Sequence, residues 1–168
     1  MKSTIKILPL VLAVSTNPAA RADESVSCKV RALFPGQTNI AEALSHEIGQ
    51  TKSTLLLALF GFNDPVLGEE LKKLAERGVK VSLKIDAGKS AEKKESQLIN
   101  RLKGAGVSVQ AVAPDGRNHN KFAVIDDSKV ITGSYNWTVK AKNVFDNLLI
   151  LDCPELAKKF RQEWESIR

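Results

Sequence analysis

The chain has 168 residues, with 25 Lys and Arg against 19 Asp and Glu, a net charge of +6, two histidines and two cysteines. That length is one domain's worth of material and excludes two complete catalytic domains, so a site needing two copies of a motif must take one from another chain. Two cysteines and scattered histidines also lack the close ligand spacing of a structural zinc site.

Residues 1 to 22, MKSTIKILPLVLAVSTNPAARA, run from two early lysines through an apolar segment, Ile5 to Val14, to the small-x-small tripeptide Ala20-Arg21-Ala22. This is the order of a secretory signal peptide. A membrane-spanning helix needs about 20 apolar residues, roughly twice this segment. The expected organisation is a signal peptide over 1–22 and one domain over 23–168, exported to a bacterial periplasm or beyond. Without Lys2, Lys6 and Arg21 the excess of basic over acidic side chains falls to +3, so overall charge says little about a polyanionic partner. Cys28 and Cys153 both remain and would meet an oxidising compartment, where disulfides persist. Pairing them would close most of the mature chain; two buried free thiols are the alternative.

After a polar start, CKVRALF (28–34) reads as a strand ending at the Pro35-Gly36 turn. TNIAEALSHEIGQTK places Ile40, Ala43, Leu44 and Ile48 at helical spacing. STLLLALFGF (53–62) is a continuous apolar run, expected of a strand covered on both faces. Asp64-Pro65 supplies an N-cap and first turn for VLGEELKKLAERG, closed by Gly78. A strand over 79–87, a charged amphipathic helix over 90–106 and a strand over 107–113 follow. KFAVIDD and KVITGSY are separated by so little chain that they form a hairpin around Asp126 to Lys129. FDNLLILD (145–152) is a further strand, and PELAKKFRQEWESIR (154–168) a closing helix with Leu156, Phe160 and Trp164 on one face. Alternating strands and helices give the expected fold class: α/β, a single mixed, largely parallel sheet flanked by helices.

The hairpin carries polar residues at its margins. Residues two apart in a strand share a face, so His119 and Lys121 point one way, as do Ser134 and Asn136 on the other strand. Asp126 has the opposite parity and sits at the turn, so a supporting role is expected of it. An imidazole, an ammonium, a hydroxyl and an amide form a donor-rich cluster suited to an anion with several acceptor oxygens, such as a phosphate. Such a set lacks the carboxylates that Mg²⁺ and Ca²⁺ require. Phosphoryl chemistry without a metal needs its own nucleophile, and His119 has the appropriate resting chemistry. Asp146, on a neighbouring predicted strand, is the candidate acceptor for the other ring nitrogen.

His119-x-Lys121-(x)4-Asp126-(x)6-Gly133-Ser134-x-Asn136 resembles the HxKxxxxD…GSxN signature of the phospholipase D superfamily. The mature chain is similar to that superfamily's short, exported, single-motif members, the bacterial endonuclease-like proteins. The resemblance implies a phospholipase D/nuclease-like sandwich and a catalytic set of His119, Lys121, Asp126, Ser134, Asn136 and Asp146. His119 would form a phosphohistidine, with Lys121, Ser134 and Asn136 holding phosphate oxygens. Asp146-Asn147 stands where the family commonly has Glu-Asn, one methylene shorter. Two-motif relatives use two histidines. Here His46 lies in a predicted helix without a motif, as a solvated residue, so the resemblance implies a homodimer supplying a second His119. It implies no cofactor and no metal.

The expected activity is therefore phosphodiester hydrolysis of DNA or RNA. A phospholipase D acting on lipid head groups is the alternative, and an inactive nucleic-acid-binding protein a further one. Arg117 and Lys140 are candidates for backbone contacts, Lys89, Lys93 and Lys94 for weaker ones, and Trp137 for base stacking or core filling.

Overall fold

A computed structural model describes residues 26–113 and 115–168; the expected signal peptide lies outside them. Seven strands form one sheet in the order β1-β7-β6-β5-β2-β3-β4. They are β1 (Lys29–Leu33), β2 (Thr54–Leu59), β3 (Lys80–Asp86), β4 (Ser108–Val112), β5 (Lys121–Ile125), β6 (Lys129–Gly133) and β7 (Leu148–Asp152). The helices are α1 (Ile40–Gly49), α2 (Pro65–Glu76), α3 (Ala87–Ser90), α4 (Lys93–Gly104) and α5 (Pro154–Ser166), with a 3₁₀ turn over Val139–Asn143.

The mixed sheet flanked by helices is as expected, but parallel pairing is confined to β2-β3-β4. The other four pairings, β2-β5, β5-β6, β6-β7 and β1-β7, are antiparallel. The reason is local: the β5–β6 connection is too short for a crossover, and β1 returns along β7 rather than beside β2. The charged helix expected over 90–106 is α4, Lys93–Gly104, and ahead of it a separate short helix, α3, follows the end of β3, capped by Asp86 through Lys89 N (3.0 Å).

Each capping residue does what its sequence position demands. Asn39 Oδ1 accepts from Glu42 N (3.2 Å), and Asp64 Oδ1 from Val66 N (2.9 Å) with Pro65 in the first turn. The larger core packs Leu44, Ile48, Leu67, Leu71, Leu74, Leu98 and Leu102 of α1, α2 and α4 on Leu55, Leu57, Leu59 and Leu83. The opposite face gathers Leu56, Ala58, Phe122, Val124 and Val130 beneath Ala157, Phe160 and Trp164 of α5. That alternation within the LLLAL run of β2 is the signature of a strand covered on both sides.

Candidate active site

The β2–β5 ladder pairs Leu59 with Lys121 and continues one bond further, Phe60 N donating to Asn120 O (2.8 Å). His119 thus emerges just past the carboxyl end of β2, exposed, with its ring against Phe60 at 4.4 Å between centroids. Lys121 Nζ donates to the His119 carbonyl (2.7 Å) and lies 3.1 Å from Nδ1. An ammonium can only donate, so this contact is a hydrogen bond in the tautomer whose Nδ1 is free to accept. Burial pushes the Lys121 ammonium below the ordinary lysine range, and the Asp146 charge pulls it partly back.

Ser134 follows β6 directly. Its hydroxyl donates to Asp146 Oδ1 (2.6 Å) and accepts from Asn147 N (3.0 Å) and Asn147 Nδ2 (3.2 Å). One donor and two lone pairs are then all engaged, so Ser134 would have to release Asp146 to donate to a phosphate. The approach that permits this requires Gly133: a Cβ there would lie 2.3 Å from the Asn147 carbonyl oxygen. Asn136 lines an adjoining cleft of about 320 Å³ together with Phe60, Asn63, Lys89, Lys140 and Asp146, and its Oδ1 is buried without a partner.

Asp146 and Asp126, both in the expected set, make their hydrogen bonds away from the His119 ring, Asp126 in the supporting position its parity implied. Asp146, the candidate acceptor for His119, hydrogen-bonds Ser134 instead; its short side chain is taken up there, and Nδ1 of His119 faces Lys121. Asp126, counted in the catalytic set, sits at the far end of the hairpin. There its carboxylate accepts from Lys52 N (2.9 Å), Ser53 N (2.8 Å), Ser53 Oγ (2.8 Å) and Thr54 N (3.0 Å). Burial raises its pKa, but the Thr54 and Lys52 amides and the Ser53 hydroxyl and amide outweigh that and hold it below the usual Asp range. Asp126 is a clasp between the hairpin turn and the start of β2.

Trp137 is fully buried, edge-on to Phe62, and fills core rather than presenting a face to a base. Lys140 lines the cleft, and Arg117 lies 6.0 Å from the Phe60 ring, with Lys89 and Lys121 each at 5.3 Å. His46 is exposed on α1, where it meets Gln50. Cys28 and Cys153 are disulfide-bonded. Among the described residues no three His, Cys, Asp or Glu side chains converge as a metal-ligating group, and no helix is long and apolar enough to cross a membrane.

Sequence reasoning missed Phe60, Asn118 and Asp86. The side chain of Asn118 is buried, donates to the carbonyls of Leu59 (3.4 Å) and Lys84 (3.3 Å), and accepts from Asn120 Nδ2 (3.0 Å). Asp86 Oδ2 accepts from Asn118 N (3.2 Å). The signal available was modest: an Asn directly before the motif histidine, and an Asp ending an apolar strand.

A single mixed sheet with His119, Lys121, Ser134 and Asn136 gathered at one end is the arrangement of a phosphate-handling site. Residues 44–168 match the family model described as "Cardiolipin synthase, PLD-like domain". A mitochondrial cardiolipin hydrolase of Mus musculus is 38% identical over 117 residues, 69% of this chain and 52% of that protein. A phospholipase D of Rickettsia conorii is 30% identical over 137 residues, 81% of this chain and 68% of that protein. Among solved structures, the phospholipase D family member Nuc from Salmonella typhimurium superposes with a TM-score of 0.79 at 21% identity. The match covers 84% of this chain and 97% of that one. NucT from Helicobacter pylori gives 0.74 at 24% identity, covering 84% and 96%.

The chain belongs to the phospholipase D superfamily, and its class is that of the phosphodiesterases. It spans about half the length of the cardiolipin hydrolases it matches.

Proposed function

We propose that the protein is an exported endonuclease that hydrolyses the phosphodiester backbone of DNA or RNA through a phosphohistidine at His119, without a metal, as a homodimer. The observation that carries this reading is the open end of the hairpin. There His119 and Lys121 lie at the same end of the sheet as Ser134 and Asn136; Lys140 lines the cleft and Arg117 sits over Phe60, while Lys89 is paired with Glu92, which with Glu95 also lines it. The donor cluster, with Arg117 and Lys140 close by, suits a phosphate on a polyanionic strand.

The reaction is two displacements at phosphorus. An imidazole nitrogen of His119 attacks, a P–N bond forms, the P–O bond to the leaving group breaks, and the protonated His119 of the partner subunit donates to the departing alkoxide. Water then attacks the phosphohistidine, passing a proton to the partner's His119 as the P–N bond breaks. Lys121 and Asn136 offset charge on the phosphate oxygens, and Ser134 joins them once it turns from Asp146. The expected signal peptide and the Cys28–Cys153 disulfide both support an oxidising, extracytoplasmic setting.

A phospholipid diesterase is the second reading, favoured by exposed Val139, Val144 and Phe145 beside the cleft, Phe145 being 98% exposed. Plasmid nicking in EDTA, run beside choline release from phosphatidylcholine vesicles, separates the two. Nicking in EDTA is expected; head-group release with intact plasmid would replace the nuclease by a phospholipid diesterase.

A further inference from the structure

His119 is exposed, and the carboxylate expected to orient it is engaged elsewhere, yet a nucleophile must be held to a fraction of an ångström. The orienting device has to come from what does touch residues 118 to 120. Three contacts meet there. The Asn118 side chain is wedged between the ends of two parallel strands, giving its amide protons to Leu59 O of β2 and Lys84 O of β3. Its own Oδ1 turns back to Asn120, with Asn120 Nδ2 at 3.0 Å and Asn120 N at 3.4 Å, so the residues on both sides of His119 are held by one amide group. From below, Asp86 Oδ2 accepts the Asn118 backbone N–H, while Asp86 Oδ1 caps α3 at Lys89. Asn118 is 2% exposed and Asp86 7%. Phe60 completes the arrangement, its amide on Asn120 O and its ring against the imidazole.

We infer that Asn118, anchored by Asp86, is the positioning residue for the nucleophile: it sets the backbone angles that hold His119 against Phe60 at the cleft's edge, and Phe60 limits where the ring can turn. Nothing in this requires contact with substrate. A buried asparagine with this many partners could also be mere scaffolding, but scaffolding would not end on the two neighbours of the reacting residue. The same Asp86 carboxylate holds Lys89, so the nucleophile and one wall of the cleft move as one unit. The inference rests on the reading of His119 as nucleophile.

The test compares Asn118→Ala, Asn118→Asp, Asp86→Asn and Asp86→Ala with a control, Thr51→Val. The control removes a buried hydrogen bond, Thr51 Oγ1 to Ile48 O, near the opposite end of β2. Cleavage of a fluorescent oligonucleotide and the rate of phosphoenzyme formation are measured on folded, dimer-sized protein. Asn118→Ala and Asn118→Asp should lower kcat and the phosphoenzyme rate about 100-fold with KM changed less than about twofold, the signature of a misaimed group. Asp86→Asn keeps one of the two acceptor oxygens that Asp86 uses, so it can hold Asn118 N only by giving up Lys89 N, and should lose an intermediate amount, about 10-fold, whereas Asp86→Ala should follow the Asn118 variants. Thr51→Val should lose thermal stability and keep kcat. Should the Asn118 variants not fold, the Asp86 pair decides alone. Wild-type kcat in folded Asn118→Ala, or equal losses in both Asp86 variants, would overturn the inference. Failure of the underlying reading looks different: His119→Ala would then retain turnover.

Discussion

The two ends of the β5–β6 hairpin are built from similar residues and behave as opposites. At the turn, Asp126 and Asp127 take left-handed backbone angles (φ 49° and 53°), which short polar residues tolerate. Three charges there are answered: Asp126 by four donors, Asp127 by Arg161, and Lys129 by Glu47. The disulfide lies at this end too, Cys153 N donating to Ser128 O. At the open end Lys121 bonds only its neighbour His119, and Ser134 holds a bond it can exchange. Satisfied polar groups fix a structure, while groups with unspent hydrogen bonds can meet a substrate. The sheet thus separates stability from chemistry along the length of two strands.

The sharpest way to break this comparison is His119→Ala. It should cut turnover at least about 1000-fold and abolish the trapped phosphoenzyme while leaving the melting temperature unchanged. Undiminished nicking would remove the chemistry from this end. Next in size is reduction of the disulfide, or Cys28→Ser with Cys153→Ser. A closure of 125 residues contributes at most roughly 5 kcal/mol in the chain-entropy model, so denaturant midpoints should fall clearly while activity per folded molecule is kept.

Asp126→Asn should cost about 1 to 2 kcal/mol near neutral pH, since partly solvated amides lose a charged acceptor, with kcat changed only severalfold. The sign with pH follows from its lowered pKa. The contribution is complete above the ordinary Asp value of 3.8 and is lost as pH falls through the folded-state value. Wild-type and variant stabilities should therefore converge on acidification; a constant difference would contradict the clasp. Smallest of all is Tyr135→Phe. The hydroxyl is buried without a partner and burial, with the Asp64 and Asp146 charges, pushes its pKa up to about 12. Removing it should alter stability by less than about 1 kcal/mol, in either direction.

Much of this was legible in the sequence. Apolar runs bounded by turn residues located the strands, and Asp64 and Gly78 marked the ends of α2. Strand parity alone moved Asp126 away from Lys121. The misreadings have common causes. Spacing cannot report which antiparallel neighbour a strand chooses, so the extent of parallel pairing was overestimated. The final strand begins at Leu148 rather than Phe145 because Asp146 and Asn147 are drawn out of the ladder to bind Ser134, leaving Phe145 in solvent. Trp137 was ambiguous because an aromatic after GSxN fits either a base platform or a core, and only the packing of Phe62 decides. Asn118 followed PDGR and resembled one more turn residue; its role depends on β2 and β3 ending side by side.

The link between Cys28 and Cys153 also bears on what a protease could do to the folded protein. β1 is an edge strand, held to β7 along one side and joined to α1 through the stretch 34–39. Exposed loops of this kind are where nicking concentrates. A cut there would leave β1 paired to β7 and covalently attached through the bridge, so a nicked molecule would remain a single particle until its disulfide was reduced.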